Sequence, residues 1–285
     1  MSVQGRDGPV AAVTGASRGI GRATALELAG KGYRVFALAR SEGDLEQLSV
    51  EAARSSLEIT PVVMDIADEG SRRRAVAAIL EATNGYGVDV LVNNAGYGQI
   101  GPMEEVPIEK FRRQFEVNVC GLLALTQPFL PAMRERRRGW IVNVSSIAGR
   151  IVTPFMGPYA ASKFALEAIS DALRLELSPF GVRVIVIEPG PIRTGFGEAS
   201  RAASEEPSSA YAPYIRRYRR ARRGTNLFER SPDAVARLIG RAVDSQHPRP
   251  RYTVTGPAKL GMVARRLVPD IVMDWAYRKV MGLKK

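Results

Sequence analysis

The chain has 285 residues, 45% of them hydrophobic and 25% charged, enough to bury a substantial core. Its formal charge of +12 invites an anionic partner: nucleic acid, an anionic membrane or a phosphorylated ligand. One cysteine, Cys120, and one histidine, His247, exclude an intramolecular disulfide and a metal centre built on several thiols or imidazoles. A Ser-His-Asp hydrolase would need His247, which lies in the turn-like S-Q-H-P-R-P far from any nucleophile elbow, so acid/base work falls to Tyr, Lys or carboxylates. Cys120 is expected to pack as a small apolar residue. MSVQGRDGPV has no apolar signal-like segment and no apolar run approaches membrane-spanning length, so the expectation is a cytoplasmic protein.

Strand-like apolar runs alternate with helical patterns, which predicts an α/β fold with a parallel sheet covered on both faces. The first strand is Val10 to Thr14, followed by a helix from Gly19 to Lys31. The second is Arg34 to Ala39, with a helix near Leu45 to Arg54. The third is Pro61 to Met64, with a helix from Glu69 to Thr83, and the fourth is Val88 to Val92. A long helical segment over 108–136 should be bent or interrupted at Pro128 and Pro131. A fifth strand, Trp140 to Val144, precedes a helix from Pro158 to Ser178, and a sixth runs from Val182 to Ile187. Residues 190–230 read as irregular, polar and arginine-rich. Ser231 should cap a helix with Pro232 at its first position. A short strand near Arg251 to Thr255 and a cationic tail finish the chain. No interdomain linker interrupts the pattern, so one domain over 1–285 is expected, with a substrate lid at 190–230 and a helical extension at 257–285.

Gly15, Gly19 and Gly21 fall between the first strand and the first helix in T-G-A-S-R-G-I-G, with Ser17, Arg18 and Ile20 between them. Glycines let a backbone turn tightly against a pyrophosphate, and the helix N-terminus that follows offers free N–H groups and a positive dipole end. An acidic residue at the end of the second strand would hold a ribose 2′-hydroxyl, whereas arginine accommodates a 2′-phosphate. Here Ala39 is followed by Arg40, with Arg18 inside the turn, so the expected cofactor is NADP(H).

The stretch from Ser145 to Lys163 carries the chemistry. Its strand delivers Ser145 and Ser146, and Tyr159 and Lys163 follow four residues apart on one helical face. An ammonium beside a phenol favours the phenolate, giving a usable acid/base group near neutral pH. A carbonyl that receives hydride develops charge on its oxygen, and two hydroxyls aimed at that oxygen stabilise it.

In combination, T-G-A-S-R-G-I-G, N-N-A-G at 93–96, Asn118 in V-N-V-C-G, Ser146, Tyr159-x3-Lys163 and E-P-G-P-I-R-T resemble the short-chain dehydrogenase/reductase family over about residues 8 to 195. The resemblance implies a three-layer doubly wound Rossmann sheet in the order 3-2-1-4-5-6-7. It implies that Tyr159 donates and accepts the proton and that Lys163 lowers its pKa and holds the nicotinamide ribose. Ser146, thirteen residues before Tyr159, would hold the substrate oxygen, and Asn118 would position a water leading from Lys163 to solvent. Asp65 and Ile66 match the adenine-contacting pair. Asn94, Ala95 and Gly96 would line the cofactor, and Pro189, Gly190, Ile192 and Thr194 would embrace the carboxamide. Family members usually dimerise or tetramerise through the helices that here lie at 108–136 and 158–178.

The stretch around Tyr159 is similar to the branch containing retinol and 17β-hydroxysteroid dehydrogenases. That similarity implies a small-molecule substrate, a lipophilic alcohol or ketone, reduced or oxidised with NADP(H). Phe155, Met156, Phe196 and Tyr211 are candidates to line its pocket. The run Arg216 to Arg223 is read as a solvated helix face, the sharper alternative being attraction of an anionic substrate or surface. The tail, with Leu267, Val268, Ile271, Val272, Trp275 and Met281 among Arg and Lys, is expected to pack over the pocket or a subunit interface, with a peripheral membrane contact as the alternative. The rival to an enzyme is a non-catalytic NADP-binding regulator or a nucleic-acid-associated protein. The dispersed arginines and complete acid/base set weigh against it.

Overall fold

The computed structural model describes residues 8–204, 210–224 and 229–283. Seven strands form one sheet: β1 (Val10–Thr14), β2 (Arg34–Ala39), β3 (Ile59–Val63), β4 (Val90–Asn93), β5 (Gly139–Val144), β6 (Val182–Glu188) and β7 (Arg251–Thr253). Their order is β3-β2-β1-β4-β5-β6-β7 and every pairing is parallel, as the resemblance implied. The order reverses between β1 and β4, which opens a crevice at the carboxyl ends of those strands, the place where such sheets bind ligands. β3 begins two residues earlier than expected and carries Pro61 inside it. A proline is tolerated there because β3 is an edge strand with one ladder side unused.

One face is covered by α1 (Gly19–Gly30), α2 (Glu42–Arg54) and α10 (Pro232–Asp244). Leu28, Leu45, Leu48, Val235 and Ile239 pack there against Val13, Val35 and Val92. The other face takes α3 (Glu69–Ala82), the segment α4 (Ile108–Phe115) to α6 (Leu130–Glu135) with α5 (Gly121–Thr126) between, and α7 (Gly157–Leu177). Ile79, Leu125, Phe129, Met133 and Leu173 pack there against Phe36, Leu91 and Ile141. Each of these side chains contributes about 1.5–3 kcal/mol by leaving water. Ser231 does precede α10 with Pro232 in its first turn, although the serine hydroxyl makes no cap bond.

The long helical segment is broken as the prolines require, Pro128 opening a 3-10 turn and Pro131 opening α6. A second break, at Glu116–Cys120, is a π turn that no proline marks. It buries Asn118, and Cys120, about 200° further round the helix, comes out exposed rather than packed. Among the described residues, 190–230 are not irregular throughout. They form α8 (Phe196–Ala203) and α9 (Ala212–Gly224), and the two ends of this segment meet where Ile192 bridges Arg230. Residues 205–209 and 225–228 of this segment, and the side chains of Arg222 and Arg223, lie outside the described residues. The tail forms α11 (Gly256–Leu267) and α12 (Asp270–Met281).

Candidate active site

A ladder of buried amides at the centre of the sheet sets the site. Asn93 on β4 donates to Asn143 on β5 (2.9 Å) and to Thr126 on α5 (3.0 Å), and Asn143 donates to Ser170 on α7 (2.8 Å). In a dry interior such bonds are strong and fix α5 and α7 against the strands, although Asn93 Oδ1 has no partner among the described residues. α7 carries Tyr159 and Lys163, and Asn118 lies in the π turn just before α5.

The glycine turn faces that crevice. Gly15 and Gly19 take positive φ (+65° and +57°), open to glycine at little cost. A Cβ on Gly21 would lie 2.2 Å from the Gly15 carbonyl oxygen, so only glycine lets α1 come this close to the turn. Arg18 stands at the N-cap without a side-chain cap bond, and the first turn of α1 holds no acid, leaving the helix N-terminus available to an anion. Thr14 ties the neighbouring strand end across: its hydroxyl accepts from the Asn94 and Ala95 amides (2.9 Å each), while Asn94 Nδ2 donates to the Thr14 carbonyl (2.9 Å). Thr194, from the loop after β6, reaches within 3.2 Å of where a Cβ on Gly19 would stand. Pro189 is buried, and Gly190 and Ile192 continue that wall.

Arg18 and Arg40 are exposed at the ends of adjacent strands and have no acidic partner among the described residues. Asp65 is already engaged, accepting from the Ala67 amide (2.9 Å) and from Arg113 (3.0 Å), and Ile66 is buried beside it. The cradle therefore fits a dinucleotide on three counts: a turn that excludes Cβ, an unopposed helix N-terminus, and two guanidiniums, one after each of the first two strands, with no acidic partner among the described residues.

Tyr159 is the third residue of α7 and is buried, its ring 5.5 Å from that of Phe196. Lys163 is also buried. Its Nζ donates to the Val144 carbonyl (2.8 Å) at the end of β5 and lies 5.9 Å from the centre of the Tyr159 ring. Burial pulls the Lys163 ammonium down from its usual value to about 8, with the Glu167 carboxylate opposing. Asn118 donates to the Tyr97 carbonyl (3.0 Å) and to Ser162 (3.0 Å), and accepts from the Tyr97 amide (3.2 Å). Gly96 sits between Asn118 and Lys163: a Cβ on it would be 3.1 Å from Asn118 Oδ1 and 3.7 Å from Lys163 Nζ.

The two serines diverge because successive residues of an extended chain point to opposite sides. Ser145 is buried toward Gly149 and Glu167, whereas Ser146 is half-buried and accepts from the Ala148 amide (3.1 Å). Met156 and Phe196 pack with Tyr159, and Phe155 sets its ring edge-on to Tyr211 (6.4 Å) and Tyr218 (6.1 Å). Phe155 has φ +67°, a strained conformation for a bulky residue, held immediately before the tyrosine-bearing helix. Ser204, just past α8, accepts from the Ile100 amide (3.0 Å), closing the segment over the N-N-A-G loop.

Sequence reasoning missed Thr14, Ser162 and the Asn143–Ser170 pair. All of them hold strand ends and helices in place, and only Ser162, adjoining Lys163, had a position that hinted at it.

The match to known proteins follows this geometry. Residues 9–205 match the model of the short chain dehydrogenase family. The chain belongs to the short-chain dehydrogenase/reductase family. It is 39% identical over 265 residues, 92% of this chain and 91% of the other, to the uncharacterised oxidoreductase YbbO of Escherichia coli. It is 35% identical over 280 residues to an NADPH-dependent 3-dehydrocapnine reductase of Ornithobacterium rhinotracheale, covering 96% and 97% of the two chains. A 3-ketodihydrosphingosine reductase of Bacteroides thetaiotaomicron is 32% identical over 271 residues, covering 93% and 95%. Among solved structures, a short-chain dehydrogenase from Streptomyces avermitilis superposes with TM-score 0.81 at 30% identity over the whole of both chains. One from Burkholderia phymatum in complex with NAD gives 0.80 at 28% over 92% of each. This chain is thus an oxidoreductase of a family that binds nicotinamide cofactors and acts on small molecules.

Proposed function

We propose that this short-chain dehydrogenase/reductase is an NADP(H)-dependent carbonyl reductase and alcohol dehydrogenase acting on a lipophilic substrate. The observation that carries the reading is the burial of Lys163 beside Tyr159. An ammonium that stays largely protonated at neutral pH in a dry hollow acts strongly on a neighbouring phenol.

The preference for NADP rests on Arg18 and Arg40, which are free to take a 2′-phosphate as a bidentate charge-assisted pair. The name of the 3-dehydrocapnine reductase agrees with that preference, while the NAD complex of the Burkholderia protein keeps it open to experiment. The glycine turn and Asn94 to Gly96 would hold the dinucleotide, Asp65 and Ile66 would flank its adenine, and Pro189, Gly190, Ile192 and Thr194 would close over the nicotinamide end. The cofactor supplies the hydride. Ser146 donates a hydrogen bond to the substrate oxygen, and Tyr159 gives that oxygen its proton. Lys163 holds the phenol acidic, and Asn118 keeps the hollow behind Lys163 open to the proton that replaces the one spent.

Apolar walls from Phe155, Met156 and Phe196 support a lipophilic carbonyl compound. Two relatives are reductases by name, which supports reduction as the working direction. Association as a dimer or tetramer is supported by the exposed apolar side chains of Phe164 and Leu175 on α7.

Replacing Tyr159 by Phe tests the reading. Turnover of a panel of long-chain ketones, followed by NADPH absorbance, should fall by at least about 10³-fold while NADPH binding stays within about twofold. Undiminished turnover in that variant would remove Tyr159 from the mechanism.

A further inference from the structure

The tail packs α11 against Ile147 and Ile151 near the site, yet leaves much of its apolar surface in solvent. Along α11 and α12, Leu260 (72% exposed), Leu267 (74%), Ile271 (79%) and Trp275 (60%) project outward, with Val263 and Val272 between them. Leu260, Val263 and Leu267 are spaced i, i+3, i+7 and share one face of α11, and Ile271 and Trp275 are one turn apart on α12. Exposing so many large apolar groups on neighbouring turns is uncommon for a surface that faces only water.

Cations surround this stripe. Lys259, Arg265, Arg266, Arg278 and Lys279 are exposed on the same two helices, against Asp270, which pairs with Arg265 (2.5 Å), and Asp274. Lys279 Nζ lies 5.0 Å from the Trp275 ring centre. α9 packs against α12, its Ile215 and Tyr218 are buried, Arg217 lies along the end of α12 at Gly282, and Arg216 and Arg220 are exposed. The stripe also borders the mouth of the site. Tyr218 of α9 meets Phe155, and a Cβ on Gly261 of α11 would touch Ile147 (3.4 Å) and Ile151 (3.2 Å), just beyond Ser146.

We propose that the outward faces of α9, α11 and α12 dock on an anionic phospholipid bilayer, with the mouth of the site turned toward it. Aliphatic side chains and one tryptophan enter the acyl boundary while the surrounding guanidinium and ammonium groups meet lipid phosphates. Charge selects this occupant. A second copy docked about a twofold axis would set the same cationic rims against each other. A nucleic acid would gain little from protruding leucine, valine and isoleucine, which cannot stack on bases. Among the described residues no helix is long and apolar enough to cross a membrane, so the contact lies along the surface.

The test uses the full chain and large unilamellar vesicles of phosphatidylglycerol and phosphatidylcholine, 1:1, against phosphatidylcholine alone. The chain has two tryptophans, and Trp140 is buried (6% exposed), so emission changes report Trp275. A blue shift and co-sedimentation with the anionic vesicles are expected, both weak with phosphatidylcholine alone. Trp275→Phe should lose the shift. Leu267→Glu with Ile271→Glu, and separately Lys259→Glu with Arg266→Glu and Arg278→Glu, should each lower partitioning by about tenfold or more. These side chains are exposed, so the melting temperature should hold. Absence of sedimentation with anionic vesicles overturns the proposal, as does binding that survives the Leu267/Ile271 double change. Conversion of a lipid-free oligomer to monomers by that double change would assign the face to a subunit contact instead. Binding by the Tyr159→Phe variant should equal that of the parent, which separates this surface from the catalytic reading.

Discussion

Arg251 on β7 holds Glu167 on α7, its Nε 3.0 Å from Glu167 Oε2. The same guanidinium reaches Asp171 (2.6 Å) and lies 3.6 Å from the buried Glu188, whose other oxygen accepts from Thr253 (2.8 Å). One cation thus spans the last strand of the sheet and the helix that carries Tyr159 and Lys163. Burial raises the Glu167 carboxyl above its ordinary range, against the opposing pull of the Ser145 hydroxyl and Arg251.

Removing that cation should be costly. Arg251→Leu leaves two carboxylates buried beside an apolar group, and we expect a loss of about 3–5 kcal/mol in denaturant unfolding at pH 7. Arg251→Lys should recover only part of it, because a point charge cannot reproduce the fork. The loss should shrink on acidification, because Glu167, its pKa raised by burial, takes up a proton earlier than an ordinary carboxylate and no longer presents an unpaired charge. A loss independent of pH would show that the ion pair is not its source.

Lys163 makes a prediction of the opposite sign. Its folded value, about 8, lies below the ordinary 10.5, so the unfolded chain binds more protons between those values. The stability of the cofactor-free protein should therefore rise with pH from about 8 to about 10.5, and the burial penalty should be fully present below 8. Lys163→Met removes the penalty but strands the Val144 carbonyl. A net gain of about 2 kcal/mol at pH 7 is expected, with the rise above pH 8 abolished and activity lost. Unfolding midpoints from pH 7 to 10 for both proteins check it.

Cofactor choice can be inverted at one position. Arg40→Asp places an acid where the second strand ends, and NADPH binding should weaken about 10- to 100-fold while NADH binding improves. Isothermal titration with both dinucleotides reads this directly. Equal affinities of the parent for both would detach the preference from Arg40.

The strands were legible because each is a compact apolar run ending in a recognisable turn, as Val10 to Thr14 ends in T-G-A-S-R-G-I-G, whereas their order came from the family resemblance. The candidate residues were legible because their roles require particular side chains at fixed spacing, Tyr159 and Lys163 most clearly. Three things were hidden. The π turn at Asn118 has no proline or glycine to announce it. The extent of α9 beyond the Arg216–Arg223 run, which reads as a solvated helix face, was masked because only Ile215 and Tyr218, one turn apart, mark the buried face. The Asn93–Asn143 ladder unites residues 50 apart in sequence, and asparagine in a strand reads as a weakness until its partner is seen.

That ladder is open to test. Asn143→Ala leaves Asn93 Nδ2 with Thr126 alone and deprives Ser170 of its donor, and we expect a loss of about 2–3 kcal/mol. Double replacement of Asn93 and Asn143 by Leu should cost less than the sum of the single changes. Additive losses in thermal melts would mean that the two amides act independently.

The segment from Gly190 to Arg230 leaves and re-enters the body of the protein through one narrow neck, where Ile192 bridges Arg230 and Arg193 N–H donates to the Arg230 carbonyl (3.0 Å). With both ends tied together, closure of the insert is settled before its contents matter, and added length costs only logarithmically. Evolution can therefore exchange this cassette for a longer or shorter one without re-registering a single strand.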